Sequence, residues 1–146
     1  MVSSRYRSTI HGIGDDCAVL DNGEDYTLLS VDTMVEGLHF DLMYCPLQHV
    51  GYKAIVSSIS DIYAMNGKPS HVIVSLSLSS KYSVEAVEEL YKGMERAASF
   101  YNIDIVGGDT TSSLSGATLS VTAYGRVKKD QLVLRSGAKT GDALFV

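Results

Sequence analysis

The sequence predicts an α+β domain: a mainly antiparallel sheet with helices packed on one face. Three observations carry that reading. Strand-like and helix-like stretches are interleaved in the order strand, strand, helix, strand, helix, strand, strand. Only two stretches have a helical period, too few to cover both faces of a sheet this large, which argues against a doubly wound fold. The 146 residues, 45% hydrophobic and 20% charged, suffice for one buried core.

The elements follow in order. "CAVLD" and "YTLLSVDT" read as strands joined by a turn at "NGED". Val35 to Pro46 is mixed in character and reads as loop. From Leu47 to about Met65 the period becomes helical: Val50, Ala54, Ile55, Ile59, Ile62 and Tyr63 recur every three or four positions. "NGKP" stops this helix, with Gly67 as cap and Pro69 as breaker. "HVIVSLSLSS" alternates apolar residues with serine, the pattern of a strand with one buried face. Ser83 is the expected N-cap of the second helix, and Glu85 suits its first turn. Val84, Val87, Leu90, Tyr91, Met94 and Ala98 form its expected inner stripe. "DIVGGDTT" reads as a short strand entering a glycine-rich loop. "ATLSVTAYGRV" places Ala117, Leu119, Val121 and Ala123 on one face and Thr118, Ser120, Thr122 and Tyr124 on the other. The final "GDALFV" is an apolar run and reads as a strand cut short, which predicts a following domain.

The net charge of −5 comes without any cluster of Lys and Arg, which argues against a nucleic-acid surface or a basic membrane patch. Cys17 and Cys45 fit no metal-ligand spacing and suit a reducing compartment. The opening residues lack the apolar stretch of a signal peptide, and no run is long enough to span a membrane; the expected location is cytoplasmic. No P-loop, protein-kinase signature or nucleophile elbow is present. "GIG" precedes a strand instead of opening a helix after one, so it is no dinucleotide fingerprint.

The chemistry concentrates in four stretches of similar make-up, "GIGDD", "SVDT", "SISD" and "GGDTT". Each holds an Asp beside small or hydroxyl residues. Asp supplies the hard oxygen ligands that Mg²⁺ prefers, and glycine lets backbone approach a ligand closely. Ser30 and Asp32 are two apart in a strand, so both project from one face. Asp61 falls near the C-terminal turns of the first helix, where an anion opposes the helix dipole at a cost of about 0.3–1 kcal/mol. A bound cation would remove that cost. An Asp in a turn also commonly satisfies neighbouring backbone donors, and one of the adjacent pair Asp15–Asp16 suits that role.

Taken together and in order, "GIGDDCAVL", "SVDTMVEGLHF", "GYKAIVSSISDIYAMNGKP", "VGGDTT" and "LRSGAKTGD" resemble thiamine-monophosphate kinase, of the aminoimidazole-ribonucleotide-synthetase superfamily. The resemblance runs from about Gly12 to Val146. It implies a single N-terminal ATP- and Mg²⁺-binding domain over 1–146, with a homodimer whose sheets build a barrel-like core. It implies transfer of the γ-phosphoryl of ATP to thiamine monophosphate, giving thiamine diphosphate. On matching positions it makes Asp16, Ser30, Val31 (through its carbonyl), Asp32, Asp61 and Asp109 metal ligands. It gives the nucleotide to Gly108, Asp109 and Arg135, and the thiamine phosphate to His39. It assigns Asp15 the structural role. The family's second domain, with most of the thiamine pocket, lies outside these residues, so the chain alone is expected to bind Mg-ATP and be inactive or nearly so. The family's helical segment with a "GEF"-like stretch is replaced here by "MVSSRYRSTIH". Two other readings are another ATP-dependent synthetase or maturation enzyme of the superfamily, and a non-catalytic dimerisation domain.

Overall fold

The computed structural model describes residues 5–145. Its elements are β1 (Thr9–His11), β2 (Ala18–Asp21), β3 (Tyr26–Val35), α1 (Leu47–Ala64), β4 (Lys68–Leu78), α2 (Val84–Tyr101), β5 (Asp104–Ser112) and β6 (Ala117–Val127). The six strands form one sheet in the order β1-β2-β3-β6-β4-β5. All neighbours are antiparallel except β4 and β5, which are parallel and joined through α2. The sheet is therefore mixed, within the expected α+β class.

Period-two patterning decides the faces. Leu28, Val72, Val74, Leu76, Leu119, Val121 and Ala123 are buried and share one side. α1 packs there across β3, β6 and β4; α2 packs on α1 and reaches β5. Burying each large aliphatic side chain contributes about 1.5–3 kcal/mol, and Ile55, Ile59, Ile62 and Met94 fill the space between the layers. Among the described residues, no helix lies over the opposite face. Val31 and Ile73 stand there 63% and 50% exposed, among Thr33, Ser75 and Ser120.

The two helices cross at glycines. A Cβ on Gly51 would stand 2.0 Å from the Leu90 carbonyl oxygen, and one on Gly93 would stand 1.9 Å from that of Gln48. Hydrogen in place of a side chain is what lets the backbones touch.

The structure corrects several expectations. β1 is an additional strand, outside the elements that the sequence pattern predicts. The left-handed residue that ends α1 is Asn66 (φ 60°), not Gly67. Asn66 N–H donates to Tyr63 O and Gly67 N–H to Ile62 O, a Schellman closure. Gly67 is needed for space instead, since its Cβ would lie 2.4 Å from Leu28. Pro69 sits inside β4, where the register with β6 shifts and a missing N–H is tolerated. Tyr63 is 47% exposed at the edge of the α1 stripe, its ring 6.3 Å from that of Tyr101. Val84 is 72% exposed, because it belongs to the first turn of α2, ahead of the crossing. "GGDTT" is not a loop: it continues β5 as an exposed edge strand. Residues 142–145 are in no strand, Leu144 and Phe145 are exposed, and Val146 lies outside the described residues. Ser83 caps α2 as expected, accepting from the Ala86 N–H at 3.3 Å.

Candidate functional site

β2 pairs with β3 only as far as Ala18 opposite Leu29. From Ser30 onward that edge of β3 has no strand beside it among the described residues, which opens a notch. Gly14, in a left-handed conformation (φ 128°), turns the chain so that Asp15 and Asp16 enter just before β2.

One row of side chains on α1 lines the notch. Lys53, Ser57, Asp61 and the C-cap Met65 are four residues apart, about one helical turn each. Lys53 Nζ donates to the His39 carbonyl at 3.0 Å. Ser57 Oγ donates to Asp32 Oδ2, and Ser30 Oγ donates to Asp61 Oδ2. Met65 Sδ accepts from the Cys17 N–H at 3.1 Å. The spacing explains why two bonds form side by side. Two strand residues span about 6.6–6.8 Å, and four helical residues span about 6 Å. Strand hydroxyl meets helix carboxylate in one bond, and the roles exchange in the other.

Arg135 closes the notch from the C-terminal segment. Its Nε donates to Asp16 Oδ1 at 3.1 Å, and Nη2 donates to the same oxygen. Its backbone N–H faces Asp15 Oδ2 at 3.3 Å, and Asp15 Oδ1 also accepts from Asp16 N–H at 3.0 Å. Asp15 thus commits its oxygens to backbone, while Asp16 holds an exposed guanidinium.

The carboxylates act on two neighbouring groups. The Cys17 thiol is pushed up to about 12, first by burial and then by the charges of Asp61, Asp16 and Asp15. The Arg135 guanidinium is held more basic than usual, chiefly by its bond to Asp16, with Asp15 and Asp61 adding to it. Both groups feel the charges of Asp15, Asp16 and Asp61, although no three such side chains among the described residues stand close enough to hold an ion by themselves. Asp32 continues the row one turn along α1.

The remaining expected residues stand apart. Asp109 pairs with Ser75 on exposed β5, so it points from the open face, away from Asp32 and Asp61. A Cβ on Gly108 would stand 1.8 Å from Val74 O, which makes the glycine a requirement of strand pairing. The Val31 side chain also faces the open side; only its backbone borders the notch. His39 is exposed in the loop after β3, its Nδ1 accepting from Val35 N–H at 3.0 Å. Sequence reasoning missed Ser57 and Lys53, although the spacing K-x₃-S-x₃-D was present in "GYKAIVSSISD".

Among the described residues, no three His, Cys, Asp or Glu side chains stand close enough to hold a metal by themselves. Mg²⁺ seldom asks for that. It takes one or two carboxylates and completes its shell with waters and phosphate oxygens. Asp16, Asp32 and Asp61, two hydroxyls and an unpaired strand edge make a donor set of hard oxygens that fits such an ion. A surface cavity of about 810 Å³ between α2 and β5 contains none of these residues. A smaller one, about 510 Å³, is lined by Leu132 to Ala138 and includes Arg135. The carboxylate row, and not the cavity between α2 and β5, marks the site.

Residues 14–127 match the family described as AIR synthase related protein, N-terminal domain. The thiamine-monophosphate kinase of Bacillus subtilis (strain 168) is 42% identical over 136 residues, covering 92% of this chain and 42% of the relative. That of Aquifex aeolicus (strain VF5) is 36% identical over 134 residues, with the same coverages. The chain therefore spans about two-fifths of the length of the curated relatives it matches. A solved structure described as AaThiL complexed with AMPPCP and TMP superposes with a TM-score of 0.82 at 38% identity, over 89% of this chain and 41% of that one. A hydrogenase maturation protein HypE in complex with ATP superposes at 0.64 with 21% identity, over 80% and 35%, which is a likeness of fold.

Proposed function

We propose, since this chain belongs to the AIR synthase related protein, N-terminal domain family, that it is the ATP- and Mg²⁺-binding part of a thiamine-monophosphate kinase acting in the cytoplasm. The reaction is transfer of the γ-phosphoryl of ATP to thiamine monophosphate. The observation that carries the reading is the carboxylate row itself: Asp32 and Asp61 bonded across β3 and α1, with Asp16 just before β2 holding Arg135, in a fold shared with AaThiL, which is complexed with AMPPCP and TMP.

Asp16, Ser30, Asp32, Asp61 and the Val31 carbonyl are the residues that would hold Mg²⁺ at the notch. When bound there, Mg²⁺ would offset the negative charge that phosphoryl transfer brings together. The chain's own part is positional. The Ser30–Asp61 and Asp32–Ser57 bonds fix the carboxylate oxygens before any ligand arrives. Arg135 offers a planar fork to phosphate oxygens once Asp16 has another partner. Gly108 and Asp109 meet the nucleotide from the open face, with Asp109 as a further ligand there, in a homodimer built through that face. Alone, the chain binds more than it turns over.

Calorimetric titration with AMPPCP tests the reading. Binding should require Mg²⁺ and weaken by about tenfold or more, at least 1.4 kcal/mol, when Asp32→Ala and Asp61→Ala are combined in a variant that still melts cooperatively. Binding that ignores Mg²⁺, or survives the double substitution, overturns it.

A further inference from the structure

We propose that Asn66 is a positioning residue for Arg135: its side chain fastens residues 131–135 to the end of α1 and so holds the guanidinium over Asp16. The fastening stands on geometry alone; its use toward phosphate oxygens rests on the kinase reading.

A left-handed residue at the end of a helix is ordinarily glycine, which has no Cβ to clash. Asn66 occupies that position (φ 60°) although Gly67 stands beside it. A carboxamide is what glycine lacks, and here it is engaged. Asn66 Nδ2 donates to the Gln131 carbonyl at 2.9 Å, across 65 residues of sequence. One residue earlier, the Met65 carbonyl lies past the last helical N–H of α1, and it accepts from Val133 N–H at 3.4 Å. Leu132 and Leu134, in no helix or strand, pack partly buried against the core. Residues 131–135 thus form a strap, with two ties at the helix end, two apolar anchors, and Arg135 at its tip.

The same helix end holds the other half of the pair. Met65 Sδ accepts from the N–H of Cys17, the residue after Asp16, at 3.1 Å. The end of α1 therefore grips both segments, and the bonds from Arg135 to Asp16 follow from that registry. Arg135 needs such support, because its side chain is 65% exposed and its backbone belongs to no regular element. Ordering it beforehand moves the entropic cost from ligand binding to folding. Asn66 is itself exposed, so its tie can be cut without touching the core or the carboxylates.

Asn66→Gly and Asn66→Asp test the assignment. Both tolerate the left-handed backbone, and neither side chain can donate to Gln131. In the ¹⁵N-labelled chain without ligand, the Arg135 Nε–H should give a signal displaced by its bond to Asp16. Both variants should move that signal toward the position of a free arginine, with the helices intact by circular dichroism. In Mg²⁺, AMPPCP should bind either variant about three- to tenfold more weakly, the worth of about one hydrogen bond. In an Arg135→Met background the same substitutions should change affinity by less than about twofold, because the two residues act as one unit. An unmoved Arg135 signal, or an affinity loss that persists without the guanidinium, overturns the assignment and leaves Asn66 a helix cap alone. A wild type that does not bind AMPPCP removes the kinase reading, and the Arg135 signal still decides the positioning.

Discussion

Cys17 shows how a single residue reports on its surroundings. It is buried at the start of β2, among three carboxylates, and its thiol is pushed up to about 12 from 9.0. At neutral pH it is protonated and inert. Of the two thiols, only half-buried Cys45 should react with a thiol reagent at pH 8, and Cys17 should follow only on unfolding. Two thiols titrating at once in the native chain would contradict this placement. The raised value also predicts a sign. The folded state holds the proton more tightly, so this group's contribution to stability is complete below pH 9 and is lost as pH climbs toward 12. Denaturant midpoints at pH 8 and 11 should diverge more for wild type than for Cys17→Ser. Among single residues, much of the site was legible in the sequence. Period two placed Ser30 and Asp32 together, and the adjacent pair divides its roles, Asp15 to backbone and Asp16 to a cation. The partners were not legible, because Ser57 and Asp61 lie 25 and 31 residues from the strand groups they bind.

Elements depend on what their glycines leave out. The α1–α2 crossing tolerates no Cβ at Gly51 or Gly93, since the obstructing atoms are backbone. Gly93→Ala should therefore destabilise by about 1–3 kcal/mol through overpacking, outweighing the gain of about 0.5–1 kcal/mol from a better helix former. Thermal melts compare the two chains directly, and a Tm equal to or above wild type would refute the tight crossing. β5 follows the same logic. "GGDTT" reads as a loop because glycine disfavours strands, yet β4 supplies the ladder and Gly108 lets the two backbones close. A tertiary pairing overrode a local preference. The limits of α1 and the start of α2, by contrast, were legible almost to the residue, since apolar period and the Ser83 cap are local properties.

The sheet as a whole has one covered face and one bare face. Val31, Thr122 and Ile73 lie in one row across the bare face, from β3 through β6 to β4. If the homodimer forms there, the wild type should scatter light as a dimer at tens of micromolar. Val31→Arg combined with Ile73→Arg should make it monomeric with little change in Tm, because both side chains are already half exposed or more. A monomeric wild type would rule out that interface. Fold class was legible from the sequence, as were the order of every element but β1 and the confinement of both helices to one face. The sheet order was not, because nothing in a run such as "ATLSVTAYGRV" says which neighbours it will have.

That order also imposes a timetable. β6 comes after every other strand among the described residues, yet it lies between β3 and β4. β3 meets it across nearly the whole domain, Tyr26 opposite Val127. Until Val127 has left the ribosome, β3 and β4 have only a gap between them, and the apolar faces of both stay open. Ser30, Asp32 and Asp61 are brought together by segments already synthesised, whereas Asp16 waits for Arg135, which follows β6. The strand that locks them into a sheet arrives afterwards, over a long loop whose closure is slow. During synthesis the carboxylate row is thus specified early and made rigid late, and that interval is when the nascent domain is most exposed to misassembly.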